Sequence, residues 1–300
     1  MTETTYAEAD GLPPGAPQRK LKQSRRLSLG AWIGLTLALL VIAVAIFGPY
    51  FAPHDPDDLS GIPFDPRSAE HPLGLDYLGR DALSRFLWGG RTAIVLALLG
   101  TLLGVVLGVT MGTMAAYLRG PVEGTFNRTT EVLLSLPGLI LVLLFLGAFG
   151  TSLTVVVLAI GLANSLPVSR IARGTALGIR EQPYIEVARA RGERSPYIVG
   201  REMLPNMAAP IAVDAGLRFT GSVIAVASVS FLGLGLQPPA SDWGLMISEN
   251  RSGIVLQPWV VLVPALALGA LCVGVNVFMD GVRRRVPSYK RTELEEASRV

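Results

Sequence analysis

The chain has two histidines, His54 and His71, and both lie in one polar segment. His71 shares that segment with Asp76 and Asp81, and these three side chains are the ones that could hold a metal ion. Their spacing matches no strong ligand pattern, and short polar caps and turns explain them better, so no metal site is expected. Signatures of other chemistries are missing: the sequence holds no HExxH, no CxxC and no GxxxxGK[ST] phosphate loop, so the chain is not expected to hydrolyse ATP. Proteolysis inside a membrane needs a nucleophile and a base at bilayer depth, and no histidine stands in an apolar run. No catalytic residue and no cofactor follow. The single cysteine, Cys272, excludes a disulfide within the chain.

Chemistry of another kind, recognition by a second protein, is suggested by the basic stretch from Arg180 to Asn206. Pro183 fits the first turn of a helix, where its missing N–H costs nothing, and Gly192 fits the left-handed position that ends one. Ser195 and Pro196 read as a new helix start, and Pro205 as its stop. Tyr184, Val187, Ala188 and Arg191 fall at i, i+3, i+4 and i+7, which predicts a small apolar face rimmed by charge. Pattern alone leaves two readings open: a surface for a protein partner, or an amphipathic helix on lipid headgroups touched by Arg180, Arg189, Arg191, Arg194 and Arg201.

The elements that must position this stretch are apolar. Of 300 residues 50% are hydrophobic and only 16% charged, which marks a membrane protein. The net charge of +3 is small and the basic residues are clustered, which suits topology signals. The clusters lack the interleaved aromatics of a nucleic-acid surface, so no nucleic acid is expected. A polar tail over residues 1–28, ending in Lys20, Lys22, Arg25 and Arg26, reads as disordered and cytoplasmic. The first span is expected over 29–51 and an extracytoplasmic loop over 52–91. A membrane core over 92–281 follows, with spans from about Thr92 to Tyr117, Val132 to Phe149, Leu153 to Ile171, Ala208 to Leu232 and Pro258 to Met279. A cytoplasmic tail over 282–300 closes an all-α protein of six transmembrane helices with both termini inside.

Two features within the spans stand out. Gly100, Gly104, Gly108 and Gly112 recur every four residues and give one smooth helix face, which predicts a closely packed helix pair. Asp214 and Arg218 stand four residues apart and can pair near the inner end of the fifth span. That pair reads either as a gate or substrate contact or as a structural pair at the bundle interface.

The basic stretch resembles the cytoplasmic loop of ABC importer permeases, which carries an E-A-A triplet, a following glycine and a later Leu-Pro. Glu186, Val187 and Ala188 stand at the triplet, Gly192 at the glycine and Leu204-Pro205 at the ending. Val187 replaces the first alanine, and Glu202 stands where the family has an apolar residue or histidine. Other segments are similar to the dipeptide, oligopeptide and nickel permeases, in the subunit type with the shorter outer loop. These are HPLGLDYLGRDALSRFLWGGR from His71 to Arg91, SFLGLGLQPPASDWG from Ser230 to Gly244, and Pro258-Trp259 followed by Asn276, Asp280 and Arg283.

The resemblance implies a type I ABC importer permease fold with cytoplasmic coupling helices between spans four and five, over 180–206. It implies three kinds of partner within a lipid bilayer: a second homologous permease, two ATP-binding subunits and an extracytoplasmic substrate-binding protein. Tyr184, Glu186, Ala188, Arg189 and Gly192 would couple to the ATPase, the glycine stripe would pack permease on permease, and Asp76, Arg80 and Asp81 would meet the binding protein. The cargo it implies is a di- or oligopeptide, with nickel, glutathione or another small solute as alternatives. A channel or secondary transporter independent of ATP is the reading from outside the family.

Overall fold

The computed structural model describes residues 28–118 and 120–284, and of residues 121 and 122 only the backbone. The basic residues ahead of the first span, Arg119 and Arg285 lie outside the described residues, as do both expected tails apart from Ser28 and residues 282–284. Among the described residues there is no strand, only the isolated bridges Leu59 to Arg80 and Leu75 to Asp81.

Helix α1 (Leu29–Phe47) begins at Ser28, whose Oγ accepts the Ala31 N–H at 3.2 Å, and closes in a 3-10 turn at Gly48–Phe51. A polar strap over residues 52–81 leads to α2 (Ala82–Leu118). At 37 residues α2 is about 55 Å long, well beyond the roughly 30 Å hydrocarbon core, so it starts before the expected Thr92. Hydropathy marked only its lipid-crossing part. Its start is fixed by Asp81, whose Oδ2 accepts the Ser84 backbone N–H at 2.8 Å in the N-cap manner.

The expected straight third span over Val132 to Phe149 is instead two arms. Helix α3 (Pro121–Leu134) and helix α4 (Gly138–Phe149) meet at a 91° bend. Pro137 lacks an N–H and pushes Leu136 out of the helical region, which breaks the run. With 12 residues α4 reaches about 18 Å, too short to cross alone. Among the described residues five helices are long and apolar enough to span, or six if this bent pair forms one span. Helix α5 (Leu153–Arg180) is capped by Ser152 and runs through Pro167 past the expected end at Ile171.

Helix α6 (Pro183–Ala190) is followed by α7 (Ser195–Tyr197), π-helical turns at Ile198–Met203 and α8 (Leu204–Phe231). Pro205 therefore does not stop the second helix. The π-helical turns close with the Leu204 N–H on Val199 O, Pro205 stands in the first turn of α8, where a proline is tolerated, and the chain passes directly into the fifth span. Helix α9 (Trp243–Asn250), capped by Asp242, lies beside the strap, and α10 (Trp259–Arg283) returns across the bundle.

Helices α2 and α5 are in backbone contact. A Cβ added at Gly104 would stand 2.6 Å from Asn164 Cβ, at Gly108 2.7 Å from Ser165 O, and at Gly112 2.2 Å from Ser169 O. Gly100 meets Ile160 in the same way, and Gly161 of α5 meets Leu103. The stripe is therefore filled by the chain's own fourth span, which corrects the expectation that it packs one permease on another. A second seam joins α1 to α10, where Gly34 and Gly274 each lie against the other's carbonyl.

Overpacking at such a seam costs about 1–3 kcal/mol or more. Gly108→Leu is expected to lower the thermal unfolding midpoint of the detergent-solubilised chain. Gly269→Ala, where the new methyl meets nothing within 4 Å, should leave it nearly unchanged. Equal midpoints for the two variants would contradict close packing.

The cap of α9 carries a pH prediction. Burial pushes the Asp242 carboxyl up to about 6 from its ordinary 3.8, against the opposing N–H groups of Leu245 and Gly244 and the Ser230 hydroxyl. The folded chain thus favours the protonated acid. Its contribution to stability is complete below about pH 4 and is lost as pH rises through about 6. Asp242→Asn should flatten the fall in unfolding midpoint between about pH 4 and 7; an unaltered slope would assign that fall to other groups.

Candidate functional site

The bundle presents one end at α6 and another at the strap and α9. At the α6 end, Pro183 occupies the first turn, as the sequence predicts. The Gly192 N–H bonds to Arg189 O at 2.9 Å and the Glu193 N–H to Ala188 O at 3.2 Å. With Gly192 at φ +76°, these two bonds form a Schellman ending.

The faces of α6 divide differently from the expected i, i+3, i+4, i+7 set. Ile185 and Ala188 point inward and are buried in a second core with Ala172, Ala176 and Ile179 of α5, Ala116 of α2, and Ile198, Met203 and Met207. Ala188 therefore cannot meet a partner, which corrects its place among the coupling residues: it is an anchor. Tyr184, Glu186, Val187, Arg189, Arg191 and Gly192 are exposed. The Arg189 guanidinium lies 5.4 Å from the Tyr117 ring centre, so it also braces α6 against α2. Burial, then Glu202, push the Tyr184 hydroxyl above its ordinary range. Glu123 accepts from Arg173 Nε at 3.1 Å, tying α3 to α5.

Within the bundle the Asp214 and Arg218 pair forms, with Nη2 to Oδ1 at 3.3 Å. Beside it is a polar cluster that the sequence did not reveal. Ser222 Oγ lies 2.8 Å from Thr101 Oγ1, accepts from Asn164 Nδ2 at 2.8 Å, and so joins α2, α5 and α8. The three side chains are far apart in sequence, and nothing short of the packing brings them together.

At the strap end, Asp76, Arg80 and Asp81 are all buried, at 0%, 3% and 0% exposure. They are unavailable to an external protein, which corrects the binding-protein assignment. Asp76 Oδ2 accepts from Arg80 Nε at 2.8 Å and Arg85 Nη1 at 3.1 Å, while Glu249 Oε2 accepts from Arg85 Nη2 at 3.1 Å. Tyr77 O–H donates to Glu249 Oε1 at 2.9 Å, and Asn250 Oδ1 accepts the Tyr77 N–H. Two guanidinium groups and two carboxylates thus neutralise one another out of water, fastening the strap and the start of α2 to α9. Burial pushes the Glu249 carboxyl up, and Tyr77 and Arg80 hold it back. Trp243 completes the joint: its indole N–H donates to Phe86 O at 2.9 Å, and its ring fills the space above Gly90. Asp81 faces the other way, toward His71 and His54. Arg85 and Glu249 were missed because a charge in a sequence does not announce that it is buried.

Residues 100–287, more than half of the chain, match the family described as the inner membrane component of binding-protein-dependent transport systems. Residues 26–69 match the N-terminal transmembrane domain of oligopeptide transport permease C. The chain is 35% identical over 269 residues to a glutathione transport system permease protein, GsiD, of Pectobacterium atrosepticum, covering 89% of this chain and 87% of that one. It is 32% identical over 249 residues to the probable D,D-dipeptide transport system permease protein DdpC of Escherichia coli, covering 82% and 83%. A solved amino acid ABC transporter overlays with a TM-score of 0.47 at 22% identity, over 67% of this chain and 94% of that one. The chain is a multi-pass inner-membrane protein and belongs to the permease components of binding-protein-dependent ABC importers.

Proposed function

We propose that the chain forms half of the membrane pathway of an importer of di- or oligopeptides, with a second homologous permease as the other half. Two separate ATP-binding subunits drive it, and a substrate-binding protein outside delivers the cargo. In this reading α6 and both termini are cytoplasmic, in keeping with Arg170, Arg173, Arg180, Arg189, Arg191 and Arg194 gathered at that end. The strap faces outward.

One observation carries the coupling role. Helix α6 is held to α5 and α8 by the buried Ile185, Ala188, Ile198 and Met203, yet offers Tyr184, Glu186, Val187 and Arg189 to whatever lies beyond. A helix fixed on one side and bare on the other suits insertion into a groove of a partner. Movement of the ATPase pair then tilts α6, and the second core passes the tilt to both spans. Two arrangements of the motor bias two arrangements of the permease, which is alternating access. Asp214 and Arg218 serve in this scheme either as a gate or as a brace; the geometry is the same for both.

The cargo reading rests on the relatives. One is named for glutathione and one for D,D-dipeptides, and both compounds are short peptides. Glutathione itself is the second reading, favoured by the first of those relatives.

Glu186→Ala, on the bare face, is expected to cut uptake of a labelled di- or tripeptide at least tenfold while membrane content stays normal. Gly192→Leu should act alike through backbone strain of roughly 1–2 kcal/mol, since its left-handed φ and not crowding forbids a side chain. Undiminished uptake in both variants would overturn the coupling role. Flux through the purified chain without any ATPase would place it among channels or secondary transporters.

A further inference from the structure

The geometry points to a binding site for a divalent transition-metal ion of the Zn²⁺ class, formed by His54, His71 and Asp81 where the strap meets the start of α2. One ligand atom from each residue lies within 4.8 Å of the others. His71 Nδ1 is 3.0 Å from Asp81 Oδ1 and His54 Nδ1 is 3.8 Å from Asp81 Oδ2. Around a tetrahedral ion with bonds near 2.0–2.1 Å, ligand atoms stand about 3.3 Å apart, between those two separations. The two imidazole rings are 4.9 Å apart, centre to centre, and both turn Nδ1 to the one carboxylate.

A satisfied cap explains only part of this arrangement. Asp81 as N-cap of α2 accounts for its bonds to Ser84, and one hydrogen bond accounts for His71. His54 is left over: its Nδ1 is buried and has no hydrogen-bond partner, at a distance from Asp81 too long for one. A buried ring nitrogen without a partner, beside a second imidazole and a carboxylate, makes a donor set that suits Zn²⁺, with water in the fourth position. Two nitrogen donors disfavour Ca²⁺ and Mg²⁺, which take oxygen.

The surrounding shell already holds the ligands in place. Asp81 Oδ2 accepts from the Ser84 N–H at 2.8 Å and the Ser84 hydroxyl at 2.7 Å. Ser84 Oγ in turn accepts the His54 backbone N–H at 3.1 Å, and Ser68 Oγ accepts that of His71 at 2.9 Å. These bonds fix the Asp81 carboxylate and the backbone that carries each imidazole. The exposed Asp57 and Asp58 stand close by in sequence and favour a cation. Coordination replaces the single bond between His71 and Asp81 and fastens the segment after α1 to the head of α2.

The test uses the full chain, purified in detergent with an affinity tag free of histidine, titrated with Co²⁺ as a spectroscopic stand-in and then with Zn²⁺. Expected is a saturable visible absorption band that Zn²⁺ removes, together with a rise in thermal unfolding midpoint on adding Zn²⁺. His54→Ala, with His54→Gln as a second variant, should weaken binding at least tenfold and abolish the Zn²⁺ shift, while unfolding without metal remains that of the unaltered chain. His54 is chosen because Asp81 and His71 also hold the start of α2. Absence of a saturable band in the unaltered chain, or a band of full affinity in both His54 variants, overturns the assignment.

Discussion

A hydrogen atom is the largest substituent that α2 can carry at residues 104, 108 and 112 while α5 lies where it does. That restriction joins the two ends of the molecule. At its head α2 bears Asp81, Arg85 and the seat of Trp243, and at its foot Ala116 and Tyr117 meet α6. Helix α5 ends directly in the turn that leads into α6. Without side chains between the two backbones there is little to compress, so displacement at one end reaches the other through a stiff pair. Packing of this kind replaces hydrophobic burial as the driving force where the solvent is itself apolar.

The outer faces of the spans show the complementary pattern. Trp32, Ile33, Leu39 and Leu40 of α1 are exposed large apolar side chains, as are Leu98, Leu102 and Val106 of α2, while glycine lines the seams between α2 and α5 and between α1 and α10, and Val, Ile and Leu fill much of the remaining core. Small residues at the helix seams and large apolar ones facing outward suit a bundle whose surroundings are themselves apolar. Polar groups inside are matched to one another: Thr101 with Ser222, Asn164 with Ser222, Asp214 with Arg218.

Much of this was legible in the sequence because it depends on local chemistry. The apolar runs gave five of the spans, a period of four gave the glycine face, and proline followed by glycine bounded α6. Other features depend on neighbours distant in the chain. Val132 to Phe149 has the composition of one span, and only Pro137 hinted at two arms. Ala188 and Val187 are equally apolar, and which of them turns inward is decided by Ile198 and Met203 beyond the break. Asp76, Arg80 and Asp81 look like surface charge until Glu249, from the far end of the chain, is seen to cover the first two. The spacing of His71, Asp76 and Asp81 leaves His54 out of the set, yet the strap folds back and brings the His54 ring to 4.9 Å from that of His71.

The four-membered set of Asp76, Arg80, Arg85 and Glu249 has a bearing on how the transporter can move. Its charges sum to zero only while α9 stays on α2; removing Glu249 would leave the buried Arg80 and Arg85 to share the single carboxylate of Asp76. The strap, the head of α2 and α9 are therefore expected to travel as one piece in any rearrangement of the chain.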